Sequence, residues 1–452
     1  MHSQGTGQLP PEKSGVRLAQ MFAFFIPLSL SASLVTISHV IINGTLTRAP
    51  NPEEIIASYA VAMSLLGITE KPAILLRQTC SALVRDRISF RAVARVAFYL
   101  LTAIFTFGVL VSYTALGDLI FGTLFGAKGE EVEPIMHVYR VVMFVSIFSG
   151  IRCLFHGIII FNKRTFWLTI GMVIRLLGMY AVSQYYIARG VDSSQVGAVI
   201  FLTGMIIEAA VAFFEGFRLY RQTLPEKVEN HPYERPSQIF SFYRPLLYSS
   251  LIAVIISPAI NIALGKTPDA ARSIAAFALA GSVCQLVLSM FSYLHQIVLN
   301  FYRTDPQQVK RFTLLLAFMP GLLLALLSFT PAGAWVMTHP LGAKELLLEE
   351  SLRALRIFVI MTVAFTWLDV ANGLLMLKGQ TKIMVWSQAA NVSVVLLTLV
   401  ICLTAAPGLN SRVGALAQSL GVAAELIFVL WALRSALRGE KSAAPPGKSL
   451  PG

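Results

Sequence analysis

Two stretches, VGAVIFLTGMIIE (196–208) and VGALAQSLGVAAE (413–425), each end on a carboxylate inside an apolar run. Valine, two glycines, an alanine and the glutamate recur at the same positions in both. An ionised group near the centre of a membrane helix costs about 2.5–3.5 kcal/mol on insertion scales, so it is a functional hypothesis by default. Glu208 and Glu425 are such groups, and so is Asp369. A buried carboxylate either pairs with a cation or takes up a proton or metal ion. These three are therefore the candidate ion-coupling residues, with H+ or Na+ as the coupling ion. Arg152, His156 and Arg175 also lie in apolar sequence. Arg152 and His156 are four apart and share a helical face. Arginine binds oxyanions bidentately and keeps its charge in a low-dielectric site. These three are the candidate substrate-binding residues, a cationic patch for a phosphate- or carboxylate-bearing solute. A structural alternative stays open, because Glu208 and Arg175 sit on consecutive antiparallel segments and can pair with each other. His39, His156 and His295 are also open to a reading as satisfied bundle residues. No catalytic set is expected, since there is no Walker loop, no HExxH and no Gly-x-Ser-x-Gly.

Composition says what must position these groups. Of 452 residues, 56% are hydrophobic and 13% are charged, against about a quarter charged in ordinary soluble domains. Mean hydropathy is +0.70. A soluble fold of this length could not hide that much apolar surface, so the chain reads as an all-α polytopic membrane protein of the inner or plasma membrane. Twelve segments are long enough to cross a ~30 Å hydrocarbon core. They fall at 17–44, 53–82, 91–116, 134–161, 165–188, 195–217, 241–264, 270–300, 312–337, 351–377, 382–405 and 413–434. Only helices satisfy their own backbone in lipid at this length. Pro27, Pro72, Pro245 and Pro258 lie inside these segments and predict kinks. The polar start of the chain runs directly into a segment too long for a cleaved signal. The four cysteines show neither a disulfide framework nor metal-ligand spacing, and no resident cofactor or metal is expected.

Basic residues concentrate in and beside alternate connections, among them Arg85, Arg87, Lys163, Arg164, Arg218 and Arg221. The positive-inside rule then places both termini in the cytoplasm. It also accounts for much of the +13 net charge without a nucleic-acid partner. The organisation expected is a cytoplasmic tail (1–16), an N-lobe (17–217), a cytoplasmic linker (218–238), a C-lobe (239–436) and a disordered tail (437–452).

The two lobes repeat one another. Pro27, Ser31 and Asn43 meet Pro245, Ser249 and Asn261 at an offset of 218, and Arg140, Gly157 and Thr165 meet Arg356, Gly373 and Thr381 at 216. Several blocks in order at nearly one offset signal a duplicated six-helix bundle. Each half has an even number of spans, so the repeats are parallel, with a cleft between lobes that suits alternating access. The counterpart of Arg175 is Asn391, which leaves Glu425 without the basic neighbour available to Glu208. Arg140 and Arg356 recur at one repeat position, which predicts a shared structural role. Gly197, Gly204, Gly414 and Gly421 predict close helix packing.

The six-plus-six layout, the Pro-Leu start of each half and the Gly-Ala-rich final span ending in a carboxylate resemble the MOP flippase superfamily. That superfamily includes the MATE exporters and the polysaccharide and lipid-linked flippases. ASYAVAMSL at 57–65, Pro72, RDR at 85–87 and LRIF at 355–358 are similar to blocks of the progressive ankylosis (ANK) family. The resemblance implies a monomeric secondary active transporter that exports an anionic solute, since the ANK family is associated with pyrophosphate, nucleotides and citrate. A lipid-linked saccharide flippase and a cation-coupled multidrug exporter are the alternatives on the same fold.

Overall fold

The computed structural model describes residues 16–125, 127, 129–338 and 345–442. Twelve apolar helical spans follow one another: α1 (Leu18–Leu46), α2 (Glu54–Leu83), α3 (Arg87–Tyr113), α4 (Gly129–Phe161), α5 (Phe166–Arg189), α6 (Gln195–Thr223), α7 (Pro236–Leu264), α8 (Arg272–Phe301), α9 (Pro306–Phe329), α10 (Leu346–Leu377), α11 (Lys382–Ala405) and α12 (Arg412–Ser435). The twelve spans anticipated from hydropathy are all present. The ninth ends earlier than expected, at Phe329, and a separate short helix follows at Pro331–Thr338. Pro331 cannot continue the ladder of the preceding turn. The final helix continues to Ser442, past the boundary at 437 where a disordered tail was expected. The tail at 1–15 and the last ten residues lie outside the described part.

The proline expectation divides. Pro27 and Pro245 remain inside unbroken helix. Threonines of the adjoining spans brace the backbone there. Thr165 and Thr169 donate to the carbonyls of Phe24 and Pro27 at 2.6 and 2.7 Å, and Thr381 donates to that of Phe242 at 3.0 Å. Pro72 and Pro258 stand beside real interruptions. Span α2 is split between Thr69 and Lys71, and α7 between Ala253 and Ile256. Each proline leaves the carbonyl four residues back without its N–H partner. Span α8 is also split, between Ser289 and Leu294, with no proline at the break.

Packing follows the repeat. In the N-lobe α1 packs on α5, α5 on α6, α4 on α6 and α2 on α4; α7, α11, α12, α10 and α8 repeat the same pairings in the C-lobe. Matched bonds hold both copies. Arg140 Nε donates to the Ser112 carbonyl at 3.2 Å and lies over the Tyr113 ring; Arg356 Nε donates to that of Ser328 at 3.2 Å and lies over Phe329. This is the shared structural role predicted for the arginine pair. Gly117 and Gly333 occupy matched turns where a Cβ would sit 2.2 Å from the Val111 oxygen and 1.7 Å from the Leu327 oxygen, so neither site admits a side chain.

The lobes join at one end. A single apolar core there takes Phe24, Phe25 and Leu28 from α1, Leu83 from α2, Ile297 and Phe301 from α8, and Phe312 from α9. Phe22 and Phe25 meet Phe312 at centroid distances of 4.9 and 5.7 Å. Tyr243 donates to the Pro72 carbonyl at 2.8 Å, and Ser81 to Gln296 Oε1 at 2.8 Å. The 224–235 connection is fastened to the same end. Asp86 accepts from the Val228 amide at 2.9 Å, and the Arg87 amide donates to the Pro225 carbonyl at 3.0 Å. In the opposite half the cores are separate. Ile42, Leu46, Tyr59 and Val138 pack within the N-lobe, and Ile260, Leu264, Val395 and Leu399 within the C-lobe. The lobes therefore form a V whose apex carries the inter-lobe linker.

Candidate functional site

The break in α2 sits between the two arms of the V. Glu70 ends the first half of the span, and Lys71 and Pro72 begin the second. The adjacent charges go to different lobes. Glu70 lines an N-lobe cavity of about 670 Å³, together with His39, Tyr59, Arg77, Arg152, Arg175 and Tyr293. Lys71 lines a C-lobe cavity of about 650 Å³, together with Asn372, Gln388, Asn391, Gln418 and Glu425.

The N-lobe cations are largely matched by acids. Arg175 Nη1 donates to Glu208 Oε2 at 2.6 Å, and Arg152 Nη1 donates to the same oxygen at 3.0 Å. Arg175 and Glu208 are almost wholly buried, at 1% and 2% exposure. Arg152 also lies 3.8 Å from Glu70 Oε1 and donates to Ser149 Oγ at 3.2 Å, while Ser149 donates to Glu70. The cluster thus holds two guanidiniums and two carboxylates. Arg152 and His156 share a face of α4, but of these two Arg152 alone reaches the cavity. His156 is buried, is absent from the lining, and its Nδ1 has no partner among the described residues. His39 does line the cavity and stacks on Phe201 at 6.0 Å.

Arg77 was not singled out by the sequence reasoning. Its guanidinium lies over the Tyr293 ring of the other lobe at 4.7 Å, and it forms no ion pair among the described residues. A signal was present, since Arg77 is the repeat counterpart of His295 at the offset of 218. Lys71 likewise forms no ion pair among the described residues and is exposed to its cavity.

The C-lobe acids part company. Glu425 is buried on the cavity wall and accepts from Asn391 Nδ2 at 2.7 Å. Asp369 does not share that cavity. It accepts from the His295 amide at 2.9 Å and meets His295 Nδ1 at 2.9 Å, so it caps the second piece of α8. Its carboxylate is occupied by two contacts with one residue, and Glu208 by two arginines. Only Glu425, of the three candidate coupling acids, faces a cavity with a neutral partner. Gly421 makes this arrangement fit, because a Cβ there would meet Asn391 Oδ1 at 2.4 Å; Gly204 plays the same part beside Arg175 and Met179.

Solved transporter structures share this fold. A MOP-superfamily transporter from Pyrococcus furiosus, described as having a binding pocket of reverse polarity that suggests a different function, is 18% identical with a TM-score of 0.72, over 93% of this chain and 96% of that one. An outward-facing multidrug-resistance MATE transporter of the MOP superfamily is 18% identical with a TM-score of 0.73, over 94% and 96%. A eukaryotic MATE transporter is 11% identical with a TM-score of 0.74, over 94% and 99%. No protein-family model and no curated protein matches the chain. The chain thus has the fold of MATE and MOP-superfamily transporters and is a multi-pass integral membrane protein.

Proposed function

We propose that this chain is a secondary active transporter that works by alternating access and carries an anionic, phosphate- or carboxylate-bearing solute across a cell membrane. The observation that carries the anionic reading is the charge left over in the two cavities. Arg152 and Arg175 are neutralised by Glu208 and Glu70, and form a fixed polar wall. Arg77 and Lys71 are not neutralised by a contacting carboxylate among the described residues, and one helix presents them to opposite lobes. Arg152 and Arg175, the arginines expected from sequence, then shape the site, whereas Arg77 and Lys71, which sequence did not assign to it, meet the solute. The short likeness to the ANK family in the 57–65 and 85–87 blocks points to the same solute class.

The V supplies the alternating element. Its apex is closed by the shared aromatic core, and its arms have separate cores, so rocking about the α2 and α8 breaks exchanges which end is open. With both termini cytoplasmic, the present state opens outward. Coupling to H+ or Na+ falls to Glu425, the cavity-facing acid with a neutral partner. Uptake of a cation there and binding of an anion beside Lys71 compensate each other in a low-dielectric site.

Thermal unfolding of the purified protein tests the solute class. Pyrophosphate, citrate and a nucleotide should each raise the unfolding midpoint. Arg77→Gln and Lys71→Gln should each weaken the affinity read from the concentration dependence of that effect by about tenfold or more, the scale of one hydrogen bond to a charged group, and Arg77→Lys should retain part of it. Stabilisation by hydrophobic organic cations alone, unchanged in these variants, would overturn the proposal in favour of drug export.

A further inference from the structure

We infer that the solute carries a polyhydroxylated body on its acidic group, and that the C-lobe cavity binds this body. The inference rests on the anionic-transporter reading for the acid itself and adds the chemistry of the remainder. The cavity wall holds five carboxamides: Gln285, Asn372, Gln388, Asn391 and Gln418. The N-lobe cavity, of nearly the same volume, has one, Asn43. Carboxamides within a membrane protein are costly unless their donors and acceptors are met by protein, solute or water; Gln388 and Asn391 are buried, Asn372 and Gln418 half-buried and Gln285 exposed to the cavity. Here only Asn391 is bonded, to Glu425. Gln285, Asn372, Gln388 and Gln418 make no side-chain hydrogen bond among the described residues, and the Asn372 oxygen is buried without a partner.

The repeat shows that this set is not scaffolding. At the offsets that align the lobes, the five positions correspond to Gly67, His156, Met172, Arg175 and Phe201. None of these is a carboxamide. The packing shared by both lobes is therefore achieved without them, and their presence in one lobe calls for a ligand.

A carboxamide offers two donors and an acceptor oxygen in one plane, so it meets a hydroxyl whichever way the hydroxyl proton points. Inorganic phosphate, which at neutral pH has few hydroxyl donors, would leave most of the five amide oxygens unused. Phe277 and Phe365 line the same cavity and offer apolar faces to the C–H side of a ring. Lys71 stands among these groups as the cation for the acid, and Glu425 as a further acceptor for hydroxyls. About 650 Å³ lies within the range of small-molecule sites and accommodates a sugar-sized body. The solute class is thus an acidic polyol: a sugar acid or a sugar phosphate, free or attached to a lipid.

Isothermal titration of the full-length protein in detergent tests this, with gluconate, glucose 6-phosphate, glucose, inorganic phosphate and a polyprenyl-phosphate-linked glucose as probes. Gluconate or glucose 6-phosphate should bind at least about tenfold more tightly than inorganic phosphate, since a site built for hydroxyls discriminates strongly against ligands lacking them. Gln388→Leu and Gln418→Leu should each erase that advantage and leave phosphate affinity unchanged; Lys71→Gln should weaken both. Unchanged unfolding midpoints of the unliganded variants establish that they fold, and Gln388→Asn should retain part of the advantage. Tight binding of the lipid-linked probe alone, lost in Gln388→Leu, supports the inference with a lipid-linked source. Phosphate binding as tightly as glucose 6-phosphate, or an advantage that survives both leucine variants, overturns the inference while the anionic reading stands. Failure of every anion to bind overturns both.

Discussion

Removing one charge from the Glu208 cluster should cost far more stability than removing its counterpart in the other lobe. Glu208→Gln removes the negative charge that accepts from Arg175 Nη1 at 2.6 Å and from Arg152 Nη1 at 3.0 Å, and leaves at most one neutral amide oxygen for the two guanidiniums. Arg152 keeps Glu70 and Ser149, but Arg175 keeps nothing of that kind. Its Nε and Nη2 already lack partners, and the Phe201 face at 5.3 Å is what remains beside it. An uncompensated buried charge costs about 3–5 kcal/mol. In the C-lobe, Glu425→Gln disturbs one hydrogen bond from a neutral amide at 2.7 Å, a loss of about 0.5–1.5 kcal/mol. The two substitutions are chemically identical and occupy matched positions, so the comparison cancels the effects of detergent and chain length. Equilibrium unfolding in mild detergent, followed by tryptophan fluorescence, should put Glu208→Gln at least about 2 kcal/mol below Glu425→Gln. Replacing both charges, with Arg175→Met and Glu208→Met, should recover part of the loss, because the orphaned cation is gone. Equal stability of the two single variants, or a double variant less stable than Glu208→Gln by the full Arg175→Met loss, would refute the argument that this pair is held by charge.

Two further outcomes follow from the same geometry. In proteoliposomes, Glu425→Gln should abolish solute accumulation driven by a proton or sodium gradient while counterflow exchange continues; normal accumulation would remove Glu425 from the coupling role. In intact cells, a cysteine at exposed Ser237 should resist a membrane-impermeant thiol reagent while one at Asp192, beyond the opposite end of α5, reacts; external labelling at Ser237 would invert the assigned orientation.

The layout was legible because one physical quantity determines it. A span must hide its backbone in lipid, so hydropathy and length alone place twelve helices, and the bounds at Lys382–Ala405 agree with the expectation at both ends. The interruptions were less legible. Pro72 and Pro258 mark breaks, yet Pro27 and Pro245 do not, because Thr165 and Thr381 brace the neighbouring carbonyls from another helix. That bond depends on tertiary packing and leaves no trace in the local sequence. The same limit applied to the site. Spacing places Arg152 and His156 on one face of α4, but that face touches both the cavity and the buried interior, and hydropathy does not tell one from the other.

Duplication supplies the information that hydropathy lacks. Where both lobes keep a residue, the structure uses it as framework: Arg140 and Arg356 bind equivalent carbonyls, and Thr165 and Thr381 bind equivalent turns of α1 and α7. Several positions where the lobes differ within otherwise matched packing lie at the cavities. Arg175 stands against Asn391 and Phe201 against Gln418, while Asn372 lines the C-lobe cavity and its counterpart His156 is buried away from the N-lobe one. Two copies of one fold impose the same packing demand at each position, so a difference between them cannot be a packing requirement common to both. Divergence between repeats therefore points to chemistry, and it does so here in one direction: charge paired with charge in the N-lobe, neutral amides in the C-lobe. Arg77 against His295 belongs to the same set, with a guanidinium left facing the cavity in one lobe and an imidazole engaged by Asp369 in the other. A solute held between the arms would then meet unlike walls, which fixes its orientation as the arms exchange their openings.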